Sequence, residues 1–126
     1  MKEVMAVLRS TKVNHTKTAL TAAGFLGFSC AACLGRGKKL VDPGLLRLIM
    51  DSGNLPLSAA GETMTESTRL IPKRVFSLIV PDERVRDAVD VIIAVNQTKN
   101  PGDGKIFILP VVESYSVRLG DKADVV

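Results

Sequence analysis

The chain is poor in the residues from which most active sites and metal centres are built. It has one histidine (His15), two cysteines (Cys30 and Cys33), one tyrosine and no tryptophan. A nucleophile needs a base beside it, and a lone histidine among polar helix neighbours provides no such set. HExxH, EF-hand and Walker A spacings are missing. Cys30 and Cys33 have the C-x-x-C spacing of a redox dithiol or half a zinc site. Zinc takes about four ligands, and adding His15 leaves that set one short. The redox motif opens a helix, whereas FSCAACL reads as a strand, on which positions three apart point to opposite faces. Two small half-buried residues are expected there, with no metal and no catalytic group. Aromatics make up 4%, too few to stack bases on a sheet. No apolar run approaches the roughly 18 residues of a membrane span. The opening MKEVMAVLR turns polar too early for a secretory signal. The expectation is a cytoplasmic protein without membrane insertion or nucleic-acid binding.

What is present is one domain's worth of chain: 126 residues, 46% hydrophobic and 24% charged. The net charge of +4 suits phosphate-bearing partners without demanding them.

Val4, Ala6 and Leu8 alternate with Glu3, Met5, Val7 and Arg9, which predicts a strand over 2–9. Ser10 or Thr11 is placed to cap a helix over 12–23, with Val13, Thr16, Leu20 and Ala23 on one face and Gly24 as its stop. A second strand is predicted over 25–34. Residues 36–72 hold no sustained period and carry repeated Pro and Gly, although a short helix over the apolar 44–50 fits. RVFSLIV (74–80) is a third strand, and Asp82 is a candidate cap for a helix over 83–97, where Val85, Ala88, Val89, Ile92 and Asn96 keep helical rhythm. A turn, TKNPGDGK, leads into a last strand over 106–118, with Pro110 marking a bulge or an edge. The tail after it is expected to be mobile. This order gives an α+β fold, a ferredoxin-like β-α-β-β-α-β sandwich. Residues 74–80 are apolar on both faces, so the sheet face without helices calls for cover by other subunits.

Chemistry concentrates in two glycine-rich turns, Gly35-Arg36-Gly37-Lys38-Lys39 and Gly102-Asp103-Gly104-Lys105. Glycines let backbone N–H groups converge on an anion, and the flanking cations compensate its charge. Arg118, in the predicted last strand, adds a further cation.

These pieces together resemble the PII signal-transduction family over nearly the full length. The resemblance rests on KEVMAVLR, GRGKK, LIPKRVFSLIVPDE and SVRLG, and most specifically on QTKNPGDGKIF (97–107). The combination is most similar to the NifI-type subgroup that controls nitrogenase, in particular the second of its paired proteins. The resemblance implies a trimeric regulator, not an enzyme, with a long T-loop over about 37–72, a B-loop over 98–105 and a C-terminal tail at 119–126. It implies ATP or ADP in clefts between subunits, at Val7, Ser29, Gly35, Gly37, Lys38, Ile79, Thr98, Gly102, Asp103, Gly104, Lys105 and Arg118. It assigns 2-oxoglutarate to Lys73 and Lys39, and it implies a homotrimer or a mixed oligomer with a paralogue, with a nitrogenase component as the target.

Departures from the family pattern sharpen the expectation. Lys39 stands where relatives usually carry a glutamine that holds Mg²⁺; a protonated lysine pairs with phosphate or carboxylate directly. Ser116 replaces a second arginine, and 36–72 contains no tyrosine for covalent control. Two other readings compete: a PII regulator of another target, such as an ammonium channel, and a small acylphosphatase-like hydrolase using Arg9 and Asn14.

Overall fold

The computed structural model describes residues 1–36 and 70–123. The chain partitions into two compact units, 1–33 with 72–126, and 34–71; the first carries the elements below, whose second and third strands run on into the other. The expected helix at 44–50 and the residues Gly37, Lys38 and Lys39 lie outside the described residues.

The order is β1 (Lys2–Arg9), a 3-10 turn (Ser10–Lys12), α1 (Val13–Ala22), β2 (Ser29–Gly35), β3 (Ile71–Val80), a 3-10 turn (Asp82–Arg84), α2 (Val85–Asn96), β4 (Gly104–Pro110), and the two-residue strands β5 (Ser114–Tyr115) and β6 (Lys122–Ala123). The main sheet runs β2-β3-β1-β4, with β1 antiparallel to both β3 and β4. This is the expected ferredoxin-like order.

Period-2 alternation sends Val4, Ala6 and Leu8 of β1 and Phe76, Leu78 and Val80 of β3 to one face, all buried. Leu20 of α1 and Ala88 and Ile92 of α2 cover them, and Phe25 joins the cluster. Each large side chain buried this way contributes about 1.5–3 kcal/mol. On the opposite face the register lines up Ile79–Glu3–Leu109, Ser77–Met5–Phe107 and Val75–Val7–Lys105. Phe107 is 44% exposed, so this face stays apolar and partly open.

The stop at Gly24 is a Schellman motif. Gly24 has φ +90°, its N–H donates to the Thr21 carbonyl at 3.0 Å, and the Phe25 N–H donates to the Leu20 carbonyl at 2.9 Å. That commits Phe25 to the helix end, so β2 begins at Ser29 rather than at 25. Arg84 fastens the same end: its Nη2 donates to the Ala23 carbonyl at 3.0 Å and its guanidinium sits 4.3 Å from the Phe25 ring centre.

The caps differ from expectation. A 3-10 turn precedes each helix, and neither Ser10, Thr11 nor Asp82 caps through its side chain. Asp82 instead accepts from the Met1 amino group at 2.6 Å, which holds its carboxyl below the usual range. β3 starts at Ile71; Pro72 lies just beyond the β1 ladder, which ends at Arg9 opposite Lys73, so its missing N–H costs no bond to β1.

The last strand stops at Pro110, not 118. Lys2 of β1 pairs with Pro110, and β1 has no further residue in the ladder. The chain beyond forms a small hairpin, with Ser114 opposite Ala123 and Tyr115 opposite Lys122. The expected mobile tail is therefore ordered through Ala123, and Arg118 lies in the hairpin's turn. β4 is an edge strand, as Pro110 suggested.

Candidate functional site: the loop at the head of β4

Ser29 opens β2 on one edge of the sheet, and Gly102 to Lys105 lead into β4 on the other. Three strand spacings, about 14 Å, separate those strands. Ser29 is exposed at the start of β2.

The 98–104 loop is built around one carboxylate. Asp103 Oδ2 accepts the backbone N–H groups of Thr98 at 2.7 Å and Lys99 at 2.9 Å. Its Oδ1 accepts the Thr98 hydroxyl and Arg9 Nη1, the latter at 2.5 Å. Successive amides converging on an anion form a nest; here the loop's own aspartate occupies it. Hydrogen bonding by Thr98, side chain first and then backbone, with support from Arg9, holds the Asp103 carboxyl far below the usual range. Asp103 stays ionised at neutral pH and shapes the loop. The convergence of amides expected for a phosphate is, at Thr98 and Lys99, spent on that side chain.

The backbone around it takes conformations that L side chains rarely adopt. Lys99 has φ 69° and Gly104 has φ 120°. A Cβ on Gly104 would stand 2.3 Å from the Val7 carbonyl oxygen, and one on Gly102 would stand 3.1 Å from Arg9 Nη2. Gly104 is therefore fixed by close approach as well as by angle, and Gly102, at φ +94°, by angle.

Cations surround the loop. Arg9 Nη2 donates to the Pro101 carbonyl at 2.8 Å, and Lys73 Nζ donates to the Gly102 carbonyl at 3.2 Å. Arg9 and Lys73 face each other across the β1–β3 ladder, and Lys105 stands opposite Val7 on the open face. Arg9 pairs with Asp103; Lys73, Lys99 and Lys105 add cationic charge in and beside the loop, without a carboxylate partner among the described residues. Beside the loop, a groove of about 500 Å³ runs between α2 and β4, lined by Ile92, Ile93, Ile106 and Lys105 among others. Asn96 Oδ1, buried next to it, finds no hydrogen-bond partner among the described residues, while its Nδ2 donates to Thr16 Oγ1 at 3.1 Å.

Val7, Lys73, Thr98, Gly102, Asp103, Gly104 and Lys105 thus gather at one end of the sheet. Ile79 shares the face with Val7 but pairs with Glu3, four residues or about 13 Å along β1. Arg118 belongs to the separate hairpin. Arg9, read from the sequence only as part of a hydrolase pair, is the side chain that ties the loop to β1; the signal for it is the strand register, which sets it beside Lys73. Cys30 is exposed and Cys33 half-buried on β2, and His15 lies in a shallow groove with Lys12 and Val95. Among the described residues, no three His, Cys, Asp or Glu side chains are grouped to hold a metal, and no helix is long and apolar enough to cross a membrane.

The chain is similar to known proteins over nearly its whole length. The chain is 36% identical over 124 residues, 98% of its length and 97% of the other's, to nitrogen fixation nifHD region GlnB-like protein 2 of Methanobacterium ivanovii. It is 38% identical to the protein of that name in Methanothermococcus thermolithotrophicus, covering 99% and 97% of the two chains. It is also 34% identical to nitrogen regulatory protein P-II 2 of Methanothermobacter thermautotrophicus strain Delta H, covering 96% and 92%. The family model for nitrogen regulatory protein P-II matches residues 1–121. With the ferredoxin-like order and the loop at the head of β4 in place, the chain belongs to the P-II family of nitrogen regulatory proteins, which are signalling regulators and not enzymes.

Proposed function

We propose that this chain binds ATP or ADP at the head of β4, responds to 2-oxoglutarate, and regulates nitrogenase in the cytoplasm through residues 37–72. The observation that carries the reading is the preformed 98–104 loop, with Lys73 and Lys105 beside it and, among the described residues, without a carboxylate partner. Gly104 keeps the loop seated on β1, since a Cβ there would drive into the Val7 carbonyl. Lys105 would meet the phosphates, Val7 and Ile79 would supply apolar surface, and Asp103 and Thr98 would hold the cradle's shape. Lys73 and Lys39 would meet the carboxylates of 2-oxoglutarate. The nucleotide supplies a polyanion whose differential affinity for two states shifts the chain between them.

The placing of β2 and β4 at opposite edges of the sheet, about 14 Å apart, supports one nucleotide drawing on two copies. Gly35, Gly37, Lys38 and Ser29 of one edge, or Arg118 on its hairpin, would complete the cleft at Lys105 of a neighbour. The open face supports the same trimer, because Phe107 and Leu109 gain by burial against another copy. Either a homotrimer or a mixed oligomer with a paralogue meets that need.

The nifHD-region names of the relatives favour nitrogenase as the target over an ammonium channel. Capture of partners from extract with and without ATP separates these targets. Calorimetry tests the site: Lys105→Ala is expected to weaken ATP binding at least tenfold, worth about 1.4 kcal/mol. Unaltered affinity would overturn the assignment. Native mass spectrometry with ATP and 2-oxoglutarate reports stoichiometry and ligand count together.

A further inference from the structure

Arg9 ends β1, opposite Lys73. Its two terminal nitrogens are both committed to the loop, Nη1 to the Asp103 carboxylate at 2.5 Å and Nη2 to the Pro101 carbonyl at 2.8 Å. The fork spans the loop's far limb, while Asp103 itself gathers the near limb through the amides of Thr98 and Lys99. Arg9 is therefore the tie from β1, beside that of Lys73 from β3, to a loop whose strained residue, Lys99 at φ 69°, is held by that same carboxylate. A lysine offers a point charge and no planar fork, so it cannot make both bonds in this arrangement. The side chain of Arg9 is 29% exposed, reachable by solvent yet already saturated on its loop side.

We infer that Arg9 is a positioning residue for the anion site: it fixes the 98–104 loop through Asp103 and Pro101 and does not itself hold the phosphates. This rests on the proposed nucleotide reading, and it adds a residue that reading does not use. A phosphate ligand at this position would behave differently under substitution. Charge alone would then suffice, lysine would substitute for arginine, and removing the Asp103 charge would strengthen binding instead of weakening it.

The experiment uses the full chain with Arg9→Lys, Arg9→Gln, Asp103→Asn and the Arg9→Gln/Asp103→Asn double variant. Without nucleotide, amide hydrogen exchange at Thr98 and Lys99 is expected to speed up about tenfold in Arg9→Lys and in Arg9→Gln, with α1 and α2 unchanged. With ATP in a calorimeter, Arg9→Lys is expected to lose affinity about as much as Arg9→Gln, roughly tenfold. The double variant should lose no more than the worse single, because both changes cut the same link. Exchange in Arg9→Lys as slow as in the original chain overturns the inference, as do losses that multiply in the double variant. Arg9→Lys keeps the charge and most of the stem, so the test stands even where Arg9→Gln fails to fold. An original chain that takes no ATP sinks the nucleotide reading, and the exchange result then judges Arg9 alone.

Discussion

β4 has two very different neighbours. At its head, residues 98–104 are gripped by side chain-to-backbone bonds around Asp103, with Arg9 and Lys73 reaching in from β1 and β3. Past its end, residues 111–123 form a hairpin whose bonds are largely its own, such as Ser116 N–H to the Asp121 carbonyl at 2.8 Å. That hairpin turns apolar side chains outward, with Val117 99% and Val112 92% exposed. The first region spends its polar groups inward and needs nothing more to hold its shape. The second leaves apolar area uncovered, which a second copy would cover. A preformed loop, proposed above as a nucleotide receptor, and an apolar arm, proposed to meet a second copy, thus flank one strand.

The strongest way to break the comparison is to spoil the receptor. Gly104→Ala places a methyl 2.3 Å from the Val7 carbonyl at φ 120°. The left-handed penalty and the backbone clash together are expected to cost about 3 kcal/mol. Urea unfolding measures it, and nucleotide binding should vanish with the displaced loop. A stability loss below about 0.5 kcal/mol would show that the loop yields easily and is no preformed cradle.

Much of the sheet and of the turn at the head of β4 is legible in the sequence. The alternation over 2–9 and the helical rhythm at 85–96 follow from burial on one face, and PGDG announces a turn with positive φ. Arg9 was not legible, because its partners lie at Pro101 and Asp103 and only the strand register reveals the approach. The Schellman end at Gly24 was half visible: the glycine was, but not that Phe25 would be taken into it. The arm was misread for a clear reason. Hydrophobicity continues past Pro110 through Val111 and Val112, while β1, the strand that must pair there, starts at Lys2, and only the Val111 N–H reaches one residue further, to the Met1 carbonyl at 3.2 Å. A strand lasts only as long as its partner, and composition does not carry that limit. Ser10, Thr11 and Asp82 failed as caps because a 3-10 turn already takes up each helix start.

A second break acts on the arm. Val117→Asp combined with Leu119→Asp changes exposed positions, so the unfolding free energy of a dilute protomer should move by less than about 0.5 kcal/mol. Burying two carboxylates in an interface is costly, and assembly is expected to weaken at least tenfold. Native mass spectrometry across a concentration series reads the oligomer directly. An oligomer that survives at the original concentration would remove the arm from the interface and leave the open sheet face to carry it alone.

The mildest test sharpens the contrast by pH. In the folded chain Asp103 titrates well below its ordinary value of 3.8, because Thr98, Lys99 and Arg9 all favour its charged form. Its ionised state therefore contributes stability that is fully present above that ordinary value and is lost as pH falls through the depressed folded one. Thermal unfolding of the original chain and of Asp103→Asn should differ most near neutral pH, with the original more stable, and the two curves should draw together in acid below about pH 4. A gap between Asp103→Asn and the original that persists unchanged into acid would mean that the loop values the shape of that side chain and not its charge. Arg9 would then be holding a hydrogen-bond acceptor, with no need of an ion.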